Sequence, residues 1–421
     1  MTLRLAPFAL TAAMFAAGVA TAASADTPAH YDLKAHIAPS RNVSAVVRVT
    51  LPASEVGRHV VFALGDRFQL SRVDGGPDAQ VSFSALERPL PHLQQIDFDF
   101  KRAPDHPVTF SFAYAGPLQD PLEKGDRARK DFMELGLETA WFPFDPTLRL
   151  QFTSDADITG IAPNMVVVAQ GQVRHAGSDV KLHRPTTDFD IPIIAASGLK
   201  RATAPDFEIY ARDLNDPFAR IYRKNAKPAF DYYRKLYGPL TAPVPIRMVE
   251  APRGGGGYER RSFISTGDGK ADLKADPHFP EYGPARHIAH EIAHGWWWNA
   301  VGQSDDYWMV ESMAEFSALR YVREAYGEAA FKDLLDRKRD SAAKAGPVLT
   351  GNKKKPNSAV LYNKGPVLLY GLEDRIGRAK MDQFLGVIGR NPPQTTVEFL
   401  KALSDVAGPE VAKDFEARLR A

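Results

Sequence analysis

Two histidines four residues apart, His290 and His294, constrain this chain more than any other feature of its sequence. Positions i and i+4 are separated by about one helical turn, so both imidazole rings project from the same face of a helix. This spacing allows two side chains to share one tetrahedral Zn²⁺ ion. Glu291 follows the first histidine and would lie beside the metal, where it could take a proton from the attacking water. The pattern therefore predicts a zinc site with its own general base.

A catalytic zinc site needs a third protein ligand and one open position. Two carboxylates on the next predicted helix, at about 308–325, are candidates: Glu311 and Glu315. They lie four residues apart on one face of a helix whose other side is apolar, where an unpaired carboxylate is costly. One could bind the metal while the other supports a ligand histidine by a hydrogen bond. The residues alone leave the choice between them open.

The part of the chain before this site has a hydrophobic period of two. Polar and apolar residues alternate in Gln95–Phe100 and in Val108–Tyr114, and Gly, Pro and Asp interrupt the alternating runs at short intervals. Such runs are typical of antiparallel strands with one face in water. Further strands are expected at residues 46–49, 59–62, 81–83 and 165–168. We therefore predict an antiparallel β domain over residues 26–205.

Helical patterns dominate the second part of the chain, residues 206–421. Asp216-Pro217 is typical of a helix start, and this helix is expected to reach Tyr237. Polar residues with several prolines and glycines predict a surface loop at 268–284. Further helices are expected at about 327–344, 364–376, 378–389, 395–406 and 409–420. The two parts together predict an α+β chain with more than one domain.

Four consecutive glycines, the last two of which are Gly256 and Gly257, lead into a short β segment that contains Glu259. Glycines let a backbone approach a neighbour closely, because no Cβ stands in the way. An extended peptide could pair with such an edge through main-chain hydrogen bonds. These three residues are therefore candidates for substrate binding. Arg260 or Arg261 could pair with Glu259 and neutralise its charge.

The stretch HEIAHGWWWN followed by WMVESMAEF resembles the zinc site of gluzincin metallopeptidases of the aminopeptidase N type. The resemblance implies a saddle-like N-terminal β domain, a thermolysin-like catalytic domain with mixed α/β and helical parts, and Glu311 as the third zinc ligand. The link between the two helices is about two residues shorter than usual, at Gln303–Asp306. This deletion falls in a predicted loop, where length changes are tolerated best.

Two further motifs extend this resemblance. Glu259 corresponds to the glutamate that binds the free α-ammonium of the substrate, although the residues around it are closer to those of glycyl aminopeptidases. Tyr362, in a Tyr-x-Lys-Gly sequence at the start of an apolar helix, matches the second catalytic motif of the family. Hydrolysis of a peptide bond forms a tetrahedral oxyanion, to which a phenol can donate a hydrogen bond.

The first 25 residues predict a secretory signal peptide. Arg4 precedes a long uncharged run of mostly small and apolar residues, which ends in the cleavage pattern Ala23-Ser24-Ala25. We therefore expect a periplasmic or secreted bacterial protein that is not bound to the membrane after cleavage. The chain has no Cys, which excludes disulfides and thiolate catalysis. Its 53 basic and 51 acidic residues nearly balance, so a nucleic-acid partner is not expected.

The sequence thus predicts hydrolysis of peptide bonds with one Zn²⁺ per chain, bound by His290, His294 and Glu311. An aminopeptidase that removes N-terminal residues is favoured, with Glu291 as general base and Tyr362 at the oxyanion. A thermolysin-like endopeptidase is the first alternative, because neutralisation of Glu259 would weaken recognition of the free amine. A periplasmic peptide-binding protein without activity, built on a peptidase scaffold, is the second.

Overall fold

The structure is a computed structural model. It describes residues 27–87, 89–118, 127–240, 244–253, 256–268, 280–300, 302, 304–351 and 354–421. The predicted signal peptide lies outside the described residues and stays a prediction. Within those residues, no helix combines the length and apolar character that crossing a bilayer requires.

The first part of the chain is built of β-strands in three sheets. Their strands are β1 Ala29–Ile37, β2 Asn42–Leu51, β3 His59–Gly65, β4 Gln69–Asp74, β5 Ala79–Leu86, β6 Leu93–Phe100, β7 Val108–Pro117, β8 Ala128–Arg129, β9 Phe132–Leu135, β10 Phe152–Thr159, β11 Met165–Ala169, β12 Gln172–Ala176, β13 Asp179–Asp188 and β14 Ile193–Ser197. The sheets have the orders β12-β13-β10-β1-β2-β7-β4, β11-β14-β9-β8 and β3-β6-β5. Neighbouring strands are antiparallel except β1 and β10, which run parallel. The strands expected from alternation all lie within observed strands.

Alternating side chains explain how these sheets stack. Successive residues of a strand point to opposite faces, and in β2 every second residue is buried. Phe98 of β6 meets Phe110 of β7 with ring centroids 4.7 Å apart, and Phe62 of β3 meets Phe112 of β7 at 5.2 Å. These edge-on aromatic contacts join the three-stranded sheet to the seven-stranded one.

A five-stranded sheet follows and leads to the site. Its strands are β15 Lys200–Ala204, β16 Phe207–Ala211, β17 Ile246–Ala251, β18 Gly257–Arg260 and β19 Phe263–Gly267. Their order is β15-β16-β17-β19-β18, so β18, the segment predicted after the glycines, is an edge strand. It pairs antiparallel with β19. Its other edge is therefore the one that an extended peptide could approach.

Helices form the rest of the chain. They are α1 Pro217–Tyr237, α2 Tyr282–Ala293, α3 Trp308–Ala342, α4 Gly365–Ile376, α5 Arg378–Arg390, α6 Thr396–Ala407 and α7 Pro409–Arg420. Asp216 caps α1 as predicted, because its carboxylate accepts a hydrogen bond of 3.0 Å from the Phe218 N–H. Gly327 interrupts α3 with φ 86°, at the boundary between two helices predicted separately. The predicted α+β fold class is confirmed.

Two local expectations need correction. The loop predicted at 268–284 was wrong at its end, because α2 already begins at Tyr282. Pro284 suggested a loop, but it lies in the first helical turn, where the missing N–H costs no hydrogen bond. Tyr362 does not open α4 directly. It lies in a short π-helical turn, Val360–Lys364, that runs into this helix.

The core of the helical part fixes α2 against its neighbours. Tyr233 of α1 donates a hydrogen bond of 3.0 Å to the Ala289 carbonyl of α2. Trp297, just beyond α2, and Tyr237 of α1 each donate to the Ser317 hydroxyl of α3 at 2.9 Å. All of these aromatic side chains are buried, so the hydrogen bonds lie in a low dielectric. These hydrogen bonds fix the position of α2, which carries the histidines, relative to α3, which carries the glutamates.

Candidate metal centre and peptide cleft

Three donor atoms from two helices converge at the predicted zinc site. The Nε2 atoms of His290 and His294, at the end of α2, lie 3.2 Å apart. Glu311, in the first turn of α3, places Oε2 at 3.4 Å from the first of these nitrogens and 3.6 Å from the second. Ligands at about 2.0–2.2 Å from a tetrahedral zinc lie about 3.3–3.6 Å from one another. The spacing and the His-His-Glu donor set therefore fit a zinc ion.

Glu315 lies on the other side of His290. Its Oε2 is 2.9 Å from His290 Nδ1, the ring nitrogen that points away from the three donors. Arg286 and Lys338 each approach the carboxylate of Glu315 to 2.6 Å. Burial opposes its ionisation, but the two cations outweigh burial and hold the pKa of Glu315 well below its usual range. Of the two glutamates, Glu311 reaches the donor cluster, and Glu315 orients His290.

Glu291 is buried between α2 and the edge strand. A Cβ added to Gly257 would lie 2.9 Å from Glu291 Oε1 and 3.0 Å from His287 Nε2, so the strand can lie this close only because residue 257 is glycine. Burial raises the pKa of the Glu291 carboxyl to about 7, although the positive charge of His290 acts to lower it. A carboxyl with this pKa can both accept and return a proton near neutral pH. His287 lies against Glu291, with its Nδ1 at 3.8 Å from the carboxylate Oε1.

Glu259 ends the exposed part of the edge strand, and Gly256, with φ 72°, precedes that strand. The carboxylate of Glu259 accepts a hydrogen bond of 3.2 Å from the Ser262 N–H. Burial raises the pKa of Glu259 to about 8, and the negative charge of Asp188 adds to this effect. The free carboxyl is therefore mostly protonated at neutral pH. A substrate ammonium would favour its ionised form.

The expectation that Arg260 or Arg261 neutralises Glu259 is wrong within the described residues. Arg260 donates from Nε to Asp190 at 2.8 Å and from Nη2 to Glu138, and it reaches only the backbone carbonyl of Glu259. Arg261 donates to the Thr187 carbonyl at 3.2 Å. Both guanidinium groups point toward partners on other elements. They also rest on aromatic rings, since Arg260 lies over Tyr258 and Phe189 and Arg261 over Trp298.

Two tyrosines flank the donor cluster. The ring of Tyr362 lies 5.7 Å from the ring of His290, and burial together with the charge of Glu311 raises the pKa of this phenol far above its usual range. Tyr362 is therefore a neutral hydrogen-bond donor. Tyr307 donates a hydrogen bond of 3.1 Å to Glu311 Oε1. This bond holds the carboxylate so that its other oxygen faces the histidines.

Sequence reasoning missed Tyr307, Arg286 and Lys338. Tyr307 and Arg286 each precede a site residue by four positions, Glu311 and His290 respectively, and this spacing could have identified them. Lys338 lies beyond the break in α3, and its sequence position carries no such signal. It donates to the Tyr362 carbonyl at 2.8 Å as well as pairing with Glu315.

Comparison with known proteins agrees with this geometry. Residues 283–415 match the profile of the Peptidase family M1 domain. No match was found among curated proteins. An M1 zinc metallopeptidase from Deinococcus radiodurans has a similar structure, with a TM-score of 0.66 at 17% identity over 94% of this chain and 93% of that chain. Native yeast LTA4 hydrolase has a TM-score of 0.70 at 16% identity over 92% of this chain and 66% of that chain.

A mutant of the Deinococcus radiodurans enzyme, bound to a Tyr-Ser-Ala substrate, matches with a TM-score of 0.66 at 17% identity and covers 94% of each chain. The fold is therefore similar to that of zinc metallopeptidases, and the three converging donors fit the single zinc ion of a gluzincin site. The match of residues 283–415 to the peptidase family M1 domain and the similar folds confirm the predicted resemblance to the aminopeptidase N type.

Proposed function

We propose that this protein is an aminopeptidase that removes residues from the free N-termini of peptides. The observation that carries the proposal is the position of Glu259, at the end of an edge strand whose Gly257 lies against Glu291. No arginine forms an ion pair with its carboxylate in the described part of the chain. A half-buried carboxyl without a paired arginine is suited to bind the α-ammonium of a peptide.

The metal site supports hydrolysis. His290, His294 and Glu311 would hold the zinc ion, while Glu315 and Tyr307 orient two of these ligands. When bound, zinc polarises the scissile carbonyl and lowers the pKa of water. The donor spacing that supports this assignment is the one expected for a tetrahedral ion.

The other residues handle the proton and the developing charge. Glu291 takes the proton of the attacking water, for which its pKa of about 7 is suitable, and passes the proton to the leaving amine. Tyr362 donates a hydrogen bond to the oxyanion, since its raised pKa keeps the phenol protonated. The free edge of β18 pairs with the substrate backbone, and Glu259 binds the substrate's ammonium.

Two measurements test this function. A peptide with a free N-terminus should be cleaved at least about 100-fold faster than its N-acetylated twin, because acetylation removes the charge that Glu259 binds. Equal cleavage of the two peptides contradicts an aminopeptidase and favours an endopeptidase. Glu291→Gln should keep stoichiometric zinc and lose nearly all turnover, by a factor of about 100 or more. Full activity of this variant contradicts the assignment of Glu291 as the base.

A further inference from the structure

Lys355, an exposed residue, places its ammonium group beside the metal centre. Its Nζ lies 4.0 Å from the ring centroid of Tyr307, and the hydroxyl of the same ring donates to the zinc-site carboxylate Glu311. Among the described residues, the charges that act on Lys355 are Glu311, which attracts it, and Arg260, which repels it. None of the ion pairs formed by these residues includes Lys355. The ammonium group is therefore available to an anion from outside the chain.

The chain is anchored at Thr350 and Gly351, a few residues before Lys355. The carboxylate of Asp305 accepts hydrogen bonds of 2.7 Å from the N–H groups of both Thr350 and Gly351. Asp305 is only two residues before Tyr307, so the same short helical turn anchors the segment and presents the ring that Lys355 contacts. Farther along, this segment leads into the turn that carries Tyr362. Lys355 thus lies in sequence between an anchored stretch of the chain and the turn that carries Tyr362.

An ammonium group in this position has an electrostatic cost. It lies near a site built to hold a divalent cation, and like charges at short range repel each other. Contact with the Tyr307 ring offsets part of this cost, by an amount that is small for an exposed lysine. A carboxylate from a bound substrate would offset the rest. Glu259 would then bind the ammonium group of a peptide, and Lys355 would bind a carboxylate of the same peptide.

We propose that Lys355 is a specificity-determining residue that binds a carboxylate of the peptide substrate. This inference rests on the proposed function and adds a substrate class to it. The preferred substrates are peptides with a carboxylate close to the scissile bond. This group is either the C-terminal carboxylate of a short peptide or the side chain of an acidic residue.

Four proteins test the proposal: the wild type, Lys355→Met, Lys355→Arg and the control Lys354→Met. Lys354 is the neighbouring exposed lysine, so the control removes the same charge from the same segment. One substrate pair is Leu-Gly-Gly and its C-terminal amide. The other is Leu-Glu-Gly amide and Leu-Gln-Gly amide. In at least one pair the wild type should prefer the carboxylate by about tenfold in kcat/KM, as expected for one charge-assisted hydrogen bond.

Lys355→Met should abolish this preference and leave cleavage of the uncharged substrates nearly unchanged. Lys355→Arg and Lys354→Met should retain the preference, and added salt should weaken it. The substrate pair that shows the preference identifies the source of the carboxylate. The proposal is overturned if the wild type cleaves the two members of each pair at equal rates. It is also overturned if the preference for the carboxylate survives in Lys355→Met. An equal loss of activity toward all four substrates overturns it as well, because this result assigns Lys355 a structural role.

These results are separable from failure of the proposed function. If the protein is not an aminopeptidase, N-acetylated and free peptides are cleaved equally in all four proteins. If only the inference about Lys355 fails, the free amine is still required, and the carboxylate and amide forms are cleaved alike.

Discussion

Glu315 and His290 form a buried pair, in which the carboxylate Oε2 lies 2.9 Å from the ring Nδ1. An ionised carboxylate can only accept, so this contact favours the tautomer with its proton on Nδ1, in which Nε2 would bind the metal beside Glu311 and His294. Metal-binding histidines are commonly oriented by such a carboxylate. Arg286 and Lys338 keep Glu315 ionised, so three side chains support the orientation of one ligand ring.

Removal of the charge of Glu315 should weaken zinc binding. Glu315→Gln keeps the shape of the side chain but replaces the charged group that faces His290 Nδ1 with a neutral amide. We therefore expect zinc affinity to fall about 10–100-fold. Competition with a chelator of known affinity measures the change. Glu328→Gln, at an exposed position of the same helix, is the matched control and should leave the affinity unchanged. An unaltered zinc affinity in Glu315→Gln contradicts the orienting role.

Local signals in the sequence account for what could be predicted. Alternating residues gave the strands, and the helix boundaries at Asp216 and Gly327 follow from capping and backbone preferences of single residues. The His290–His294 spacing is also local, since both residues lie on one turn. These signals depend on neighbours in the chain, which a sequence shows directly.

Contacts between distant segments could not be predicted in the same way. Arg260 seemed free to pair with its neighbour Glu259, but its guanidinium bonds to Asp190, 70 residues away. Lys338 reaches Glu315 across the interruption at Gly327, and nothing in the sequence near Lys338 indicates this. The choice between Glu311 and Glu315 likewise depends on how α3 packs on α2. Such contacts are set by tertiary packing, which overrides the preference of a side chain for its nearest neighbours.

Tyr362→Phe tests the phenol at the oxyanion. The substitution keeps the ring beside His290 but removes the O–H, so kcat should fall by about 100- to 1,000-fold with zinc content unchanged. Steady-state kinetics and metal analysis measure both quantities. Tyr370→Phe is the control, because the Tyr370 hydroxyl donates to the Phe316 carbonyl at 3.4 Å inside the core. It should cost about 1 kcal/mol of stability and leave kcat nearly intact. A similar kcat for both variants contradicts a role of Tyr362 in catalysis.

The ionisation of Glu259 should be visible in the pH dependence of kcat/KM. Its pKa, raised to about 8, means that the carboxyl is mostly protonated below this pH, and only the ionised form pairs with an ammonium. For a free peptide, kcat/KM should therefore rise from about pH 6 to 8 and then fall as the substrate amine, with a pKa of about 7.7–8.0, loses its proton.

Glu259→Gln is the test of this assignment. The variant should lose the part of the rise that is centred near pH 8 and should cleave free peptides about 10–100-fold less efficiently. The N-acetylated peptide is the matched control, since its cleavage should not depend on Glu259 at any pH. A profile for the free peptide that is identical in the wild type and the variant shows that another group titrates.

Arg260 should stabilise the contact between the edge strand β18 and the segment that joins β13 to β14. It donates to Asp190, which is fully buried, and removal of one partner of a buried ion pair leaves the other charge unpaired. We expect Arg260→Met to lower the free energy of unfolding by about 3–5 kcal/mol. Urea denaturation measures the loss, and the exposed Arg174→Met should change stability by about 0.5 kcal/mol or less.

A second substitution separates lost charge pairing from lost packing. If the penalty in Arg260→Met comes from the unpaired carboxylate, then adding Asp190→Asn to that variant should recover part of the stability, because the buried charge is gone. If it comes from the contacts of the Arg260 side chain with Tyr258 and Phe189, the double variant should be no more stable than the single one. That outcome contradicts the ion pair as the source of stability.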